Sequence, residues 1–191
     1  MIDYIVLDTE TKKLFSELEK NDPRLLELSY VGIYRSDTDT YQGFFENELK
    51  DLWPLLESAN LIIGFNIIKF DYPVLSPYYP GDLQKLPTLD ILDRVKESLG
   101  FRVGLDTIAR ATLGMSKTGT GFEAIEYFKN GQLKELAEYC LHDVKITKEI
   151  FEYARENKIL KYYDLNQIRE FSINIETVAE STADIQMSLG V

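Results

Sequence analysis

With 191 residues, 45% of them apolar and 28% charged, the chain fits one globular domain, because folding at this length removes about 70% of the unfolded surface from water. The composition excludes a disordered chain and a membrane protein, and the single Cys140 excludes a disulfide framework or a Cys-based zinc site. A formal net charge of −11 excludes a broad basic surface that coats nucleic acid by releasing counterions, while a small end-binding site that draws its positive charge from bound cations stays compatible.

The opening Met1-Ile2-Asp3-Tyr4 lacks the basic region, apolar run and small-residue cleavage site of a secretory signal. Runs such as Leu61-Ile62-Ile63 are far shorter than the roughly 20 residues that cross a bilayer, so no membrane span and a cytoplasmic setting are expected. Tyr4-Ile5-Val6-Leu7 reads as a buried strand that ends at Asp8. Two further strands, Leu26–Tyr34 and Thr38–Phe45, flank the polar turn Arg35-Ser36-Asp37 and predict an antiparallel hairpin. From Glu48 to Ala59 the positions Leu49, Leu52, Trp53 and Leu56 recur at helical spacing, and Asn60–Gly64 follows as a strand, which makes this helix a crossover into the sheet.

A short strand is expected over Leu86–Leu92 and a helix over Leu105–Leu113, stopped by Gly114. Leu133, Leu136, Tyr139, Cys140, Asp143, Val144, Thr147 and Ile150 give Gln132–Asn157 a long amphipathic helical pattern. Ile159–Tyr163 and Arg169–Ile175 are expected to pair around Asp164-Leu165-Asn166-Gln167. Residues 1–176 then form the domain and 177–191 a flexible tail.

Three separated clusters carry chemistry: Asp8-Thr9-Glu10, Asn66 to Phe70-Asp71, and Tyr139-x-x-x-Asp143. In a strand Asp8 and Glu10 point to one side, so the pair can converge on a single cation. Tyr139 and Asp143 share one helix face. Each cluster alone reads more simply as exposed acids or a core Tyr; their order along the chain favours a shared site. Asp71 opens a helix, where capping and metal binding are both open to it. Asn66 either contacts substrate or holds its loop, and Phe65 and Phe70 either pack in the core or stack on a terminal base, with packing preferred for Phe70. Hydrolysis of a phosphodiester with two metals needs hard oxygen ligands, and these clusters supply them, consistent with Mg²⁺ or Mn²⁺.

Gly114–Gly121 is glycine-rich, yet Thr120 stands where a phosphate-binding P-loop needs Lys, so a mobile loop is expected. Lys117 within it reads as a solvated loop cation with a phosphate contact as the other option, and Lys69 and Arg110 carry the same two readings.

The clusters resemble the three motifs of the DEDD superfamily of 3′-to-5′ exonucleases, over about residues 1 to 160. Tyr139-x-x-x-Asp143 is similar to the tyrosine-bearing DEDDy variant, since Glu138 fills the position where the histidine-bearing variant has His. Leu105–Gly114 and Tyr139–Val144 are similar to stretches of family B DNA polymerase exonuclease domains and of stand-alone, YprB-like relatives. The resemblance implies an α/β, ribonuclease H-like mixed sheet, antiparallel over its first three strands and then parallel, with helices on both faces. It further implies two divalent cations, one held by Asp8, Glu10 and Asp143 and one by Asp71 with Asp8 bridging, and Tyr139 positioning the attacking water. The implied substrate is the 3′ end of single-stranded DNA or RNA, with a protein partner as one source of additional grip.

Two other readings stay open. The fold can serve as a non-catalytic nucleic-acid- or partner-binding module, in which case the metals and hydrolysis are absent. Alternatively Val6-Leu7-Asp8-Thr9-Glu10-Thr11 superficially resembles the nucleophile loop of haloacid-dehalogenase-like phosphatases, where Asp8 would become phosphorylated, although Glu10 replaces the Asp required as general acid.

Overall fold

The computed structural model describes residues 3–165 and 167–175; the expected tail at 177–191 lies outside them. Strands β1 (Ile5–Thr11), β2 (Leu28–Arg35), β3 (Thr40–Phe44), β4 (Ile62–Gly64) and β5 (Thr88–Asp90) form one sheet in the order β3-β2-β1-β4-β5. The pairings β3-β2 and β2-β1 are antiparallel, and β1-β4 and β4-β5 are parallel, as the resemblance implied. Helices α1 (Leu49–Ser58) and α2 (Asp71–Leu75) cover one face, and α3 (Ile91–Leu99), α4 (Leu105–Leu113) and α6 (Leu133–Asn157) the other. Among the described residues no helix is long and apolar enough to cross a membrane.

Alternation along β1 builds both cores. Ile5 and Leu7 join Val31, Ile33, Leu52, Leu56 and Leu75 on the α1/α2 side, whereas Tyr4 and Val6 join Ile63, Leu89, Val144 and Ile150 on the α6 side. Continued for three residues, the same period sends Asp8 and Glu10 toward α6 and Thr9 toward α2. β1 does not end at Asp8, as its apolar run predicted. It continues to Thr11 because β2 supplies partners throughout, Gly32 opposite Asp8 and Tyr30 opposite Glu10, before a register shift between Glu10 and Thr11. β4 by contrast pairs only with Ile5 and Val6. Beyond that point β1 has no parallel neighbour, and the largely buried carboxylates gather around the resulting notch at the sheet's end.

The strand expected over Leu86–Leu92 is limited to Thr88–Asp90, because Asp90 accepts from Leu92 N at 3.0 Å and starts α3 there. α3 and α5 (Gly121–Lys129) were not anticipated; the signals for them are the Asp90 cap and the Thr120/Glu123 capping box. α4 stops at Gly114 in the left-handed conformation (φ 68°), as expected. The long helix and the terminal hairpin β6 (Ile159–Asp164) and β7 (Gln167–Ser172) are both present, and Leu160 and Phe171 of the hairpin pack into the α6-side core.

Candidate metal and active site

A cleft of about 520 Å³ opens at the notch, and Asp8, Glu10, Asp71, Tyr139 and Asp143 all line it. The three clusters, separated by up to 135 residues, therefore meet. α6 brings Tyr139 and Asp143 to the β1 carboxylates by lying close on the sheet: a Cβ at Gly32 would come within 3.0 Å of Cys140 Sγ and Val144 Cγ2. α2 delivers Asp71 from the other side. The cap position of α2 is Phe70, and the Oδ1 of Asp71 turns back to accept from Thr9 N at 2.9 Å and Thr9 Oγ1 at 2.8 Å. Thr9 thus has its backbone N–H and its hydroxyl committed to Asp71 rather than to a substrate.

Asn66 stands with φ 70° at the bend into α2; its N–H donates to Asp90 Oδ1 at 2.8 Å, and Ile68 N donates to Asp90 Oδ2 at 3.2 Å. Its side-chain Oδ1 accepts from Arg102 Nη2 at 3.5 Å on the cleft wall. Phe65 lines the cleft while packing on the α6-side core, and Phe70 packs on the opposite core and edge-on to Phe15, ring centroids 6.2 Å apart, while also reaching the cleft. Lys117 is not the solvated loop cation favoured from sequence. Its Nζ donates to Asp143 Oδ2 at 2.5 Å, its N–H donates to Asp106 Oδ1 at 2.9 Å, and His142 Nε2 meets Ser116 O at 3.0 Å beside it. The loop is therefore tied down over the site. Lys69 is exposed and outside the cleft, and Arg110 lies over Tyr163 at 5.6 Å, also outside it. Reasoning from sequence missed Arg102 and Asp90; a strand-end Asp ahead of Ile91-Leu92 was the available sign for the second.

Burial and neighbouring like charges set the electrostatics of the cleft. Burial, then the charges of Asp71, Asp143 and Glu10, hold the Asp8 carboxyl well above its ordinary range, and burial with Asp143 does the same to Glu10. Burial pushes Asp71 up to about 7 against the opposing hydrogen bonds from Thr9, and burial raises Asp143 despite Lys117. For Lys117 burial disfavours the ammonium, yet Asp143, Asp8 and Glu10 outweigh it and raise its pKa. Burial and the same carboxylates raise Tyr139, which keeps its phenol protonated and able to donate.

Several observations fit a divalent cation. Asp143 is 1% exposed, and its Oδ1 is buried with no hydrogen-bond partner among the described residues. Ligand atoms of Asp8, Glu10 and Cys140 lie within 4.8 Å of one another. The Cys140 thiol is fully buried, points at Asp8 O and Oδ2 at 3.6 and 3.8 Å, and is held strongly protonated by burial and the nearby carboxylates. The available ligands are thus carboxylate oxygens, the donor type that hard cations prefer.

A search of curated proteins returns no match. Among solved structures the chain is similar to the family B DNA polymerase of the hyperthermophilic archaeon Pyrobaculum calidifontis, with a TM-score of 0.62 and 16% identity over 81% of this chain. The match spans 25% of that polymerase, and at this identity it speaks for the fold. The family model for the RNase H superfamily matches residues 5–156, most of the described chain, and the protein belongs to that superfamily.

Proposed function

We propose that this protein is a metal-dependent 3′-to-5′ exonuclease of the tyrosine-bearing DEDD type, acting on single-stranded DNA or RNA. The observation that carries the reading is the convergence of four carboxylates from β1, α2 and α6 in one cleft, with Asp143 Oδ1 buried and unpartnered among them. Asp8, Glu10 and Asp143 would hold one Mg²⁺ or Mn²⁺, and Asp71 with Asp8 a second. Bound there, the cations supply a lowered pKa for water and compensation for charge on the leaving 3′ oxygen.

The chain's own groups do the rest. Tyr139, protonated, orients the attacking water by donating to it or to the scissile phosphate. Thr9 fixes the Asp71 carboxylate through two hydrogen bonds. Lys117, on a loop, can exchange Asp143 for a phosphate oxygen as metal and substrate enter. Phe65 and Phe70, which line the cleft, are the aromatic side chains on which terminal bases would stack.

Digestion of 5′-labelled single-stranded DNA and RNA in Mg²⁺ or Mn²⁺, alongside Asp8→Ala and 3′-blocked substrates, tests the reading. A ladder shortening from the free 3′ end, lost in both controls, is the expected result. Near-full turnover by Asp8→Ala would refute it. The second reading, a non-catalytic binding module, rests on Lys117, whose ammonium already neutralises Asp143; nucleic-acid affinity with neither metal binding nor cleavage would favour it.

A further inference from the structure

The distribution of cations around the cleft bears on what length of strand the site recognises. At least thirteen of the chain's 21 Lys and Arg side chains lie within 3.8 Å of a carboxylate. Lys13, which lines the cleft, pairs with Glu27, Lys12 with Glu46 at 2.6 Å, and Lys129 with Glu17 at 3.4 Å, whereas exposed Lys69, between the cleft residues Asn66 and Phe70 in sequence, is not among these pairs. A phosphate approaching any of the paired cations must displace a carboxylate and meets the net charge of −11, so it releases little or no counterion. Residues 176–191 contain Glu176, Glu180 and Asp184 and no Lys or Arg.

Inside the cleft Arg102 is the exception to this pairing. Arg102 lines it with no acidic partner among the described residues and only Asn66 Oδ1 at 3.5 Å, and Lys117 sits at Asp143. The apolar wall of Leu14, Phe15, Phe65 and Phe70 stands beside them. The cleft's volume of about 520 Å³ falls in the range of small-ligand sites. Arg102, Lys117 and these rings thus gather phosphate and base contacts at the scissile bond and the nucleosides flanking it.

We infer that the substrates are short oligonucleotides, dinucleotides included, and that strand beyond the cleft contributes no affinity. The inference rests on the exonuclease reading and specifies its substrate class. Polymers are then attacked no better per 3′ end than fragments a few nucleotides long, and an upstream nuclease that generates such fragments is the class of reaction that supplies them.

The test compares a dinucleotide, a pentanucleotide and an oligonucleotide of about 24 nucleotides, by kcat/KM in Mn²⁺ and by fluorescence anisotropy with Ca²⁺ in place of Mn²⁺, across a salt series. Expected are kcat/KM values within about threefold of one another, affinity that changes as little, and a salt slope of about two phosphates or fewer at every length. Arg102→Ala should weaken all three by the same factor. A kcat/KM or affinity that climbs tenfold or more with length, or a salt slope that steepens with it, overturns the short-substrate assignment and leaves the exonuclease intact. Hydrolysis at no length, with either cation, removes the exonuclease; the anisotropy series needs no turnover and still decides whether affinity depends on length.

Discussion

Lys117 Nζ lies 2.5 Å from Oδ2 of Asp143 while Oδ1 of the same carboxylate is buried without a hydrogen-bond partner among the described residues. One oxygen is neutralised by the protein and the other is left for something else. Removing the ammonium leaves Asp143 wholly available to a cation and removes a phosphate contact. Lys117→Gln is expected to bind Mn²⁺ more tightly in a calorimetric titration while kcat/KM falls by about 100- to 1000-fold, the range for losing one electrostatic contact to the transition state. Unchanged turnover would place Lys117 outside the chemistry.

The clustered carboxylates make the metal-free protein sensitive to pH in a defined direction. Asp71 is raised from 3.8 to about 7, and Asp8, Glu10 and Asp143 are raised as well, so between about pH 4 and 7 the folded state binds more protons than the unfolded one. Stability from these groups is present at low pH and is lost as pH rises through their folded values. The melting temperature in chelator should therefore fall between about pH 5 and pH 8, and added Mg²⁺ or Mn²⁺ should raise it more at pH 8 than at pH 5. A metal-induced shift that is larger at pH 5 would contradict this.

Asp8→Asn separates stability from activity. It removes one buried like charge and keeps the shape, so the chelated variant at pH 8 should melt above the parent protein even as metal-dependent cleavage is lost by orders of magnitude. Thermal denaturation and single-turnover cleavage on the same preparation check both halves.

Asp90 accepts backbone N–H groups from Asn66, Ile68 and Leu92, joining the bend before Asp71 to the start of α3. Asp90→Ala leaves these donors unpaired and should cost about 2–4 kcal/mol by denaturant titration, with kcat/KM reduced through a misplaced Asp71. Asp90→Asn, which keeps an acceptor, should recover part of both.

Gly32 faces the Asp8 backbone from β2 and lets α6 approach. Gly32→Val should push Cys140 and Val144 outward and carry Asp143 with them, lowering metal affinity more than it lowers the melting temperature. A variant that unfolds outright would be read against Gly32→Ala, in which the smaller side chain demands only a few tenths of an ångström of movement.

Much of this protein is legible in local sequence. The alternation of Ile5, Val6 and Leu7 determines which way Asp8, Thr9 and Glu10 point, the 3.6-residue period puts Tyr139 beside Asp143, and Gly114 ends α4, because these are properties of a strand or helix by itself. What only the tertiary structure decided is where independent elements meet. That β1 runs on to Thr11 depends on β2, that Thr9 holds Asp71 depends on α2 crossing the sheet's end, and that Lys117 reaches Asp143 rather than solvent depends on a loop anchored at Asp106 and His142. Short helices such as α3 and α5 are equally hard to read, since a helix of nine residues owes its stability to the core it covers rather than to its own sequence.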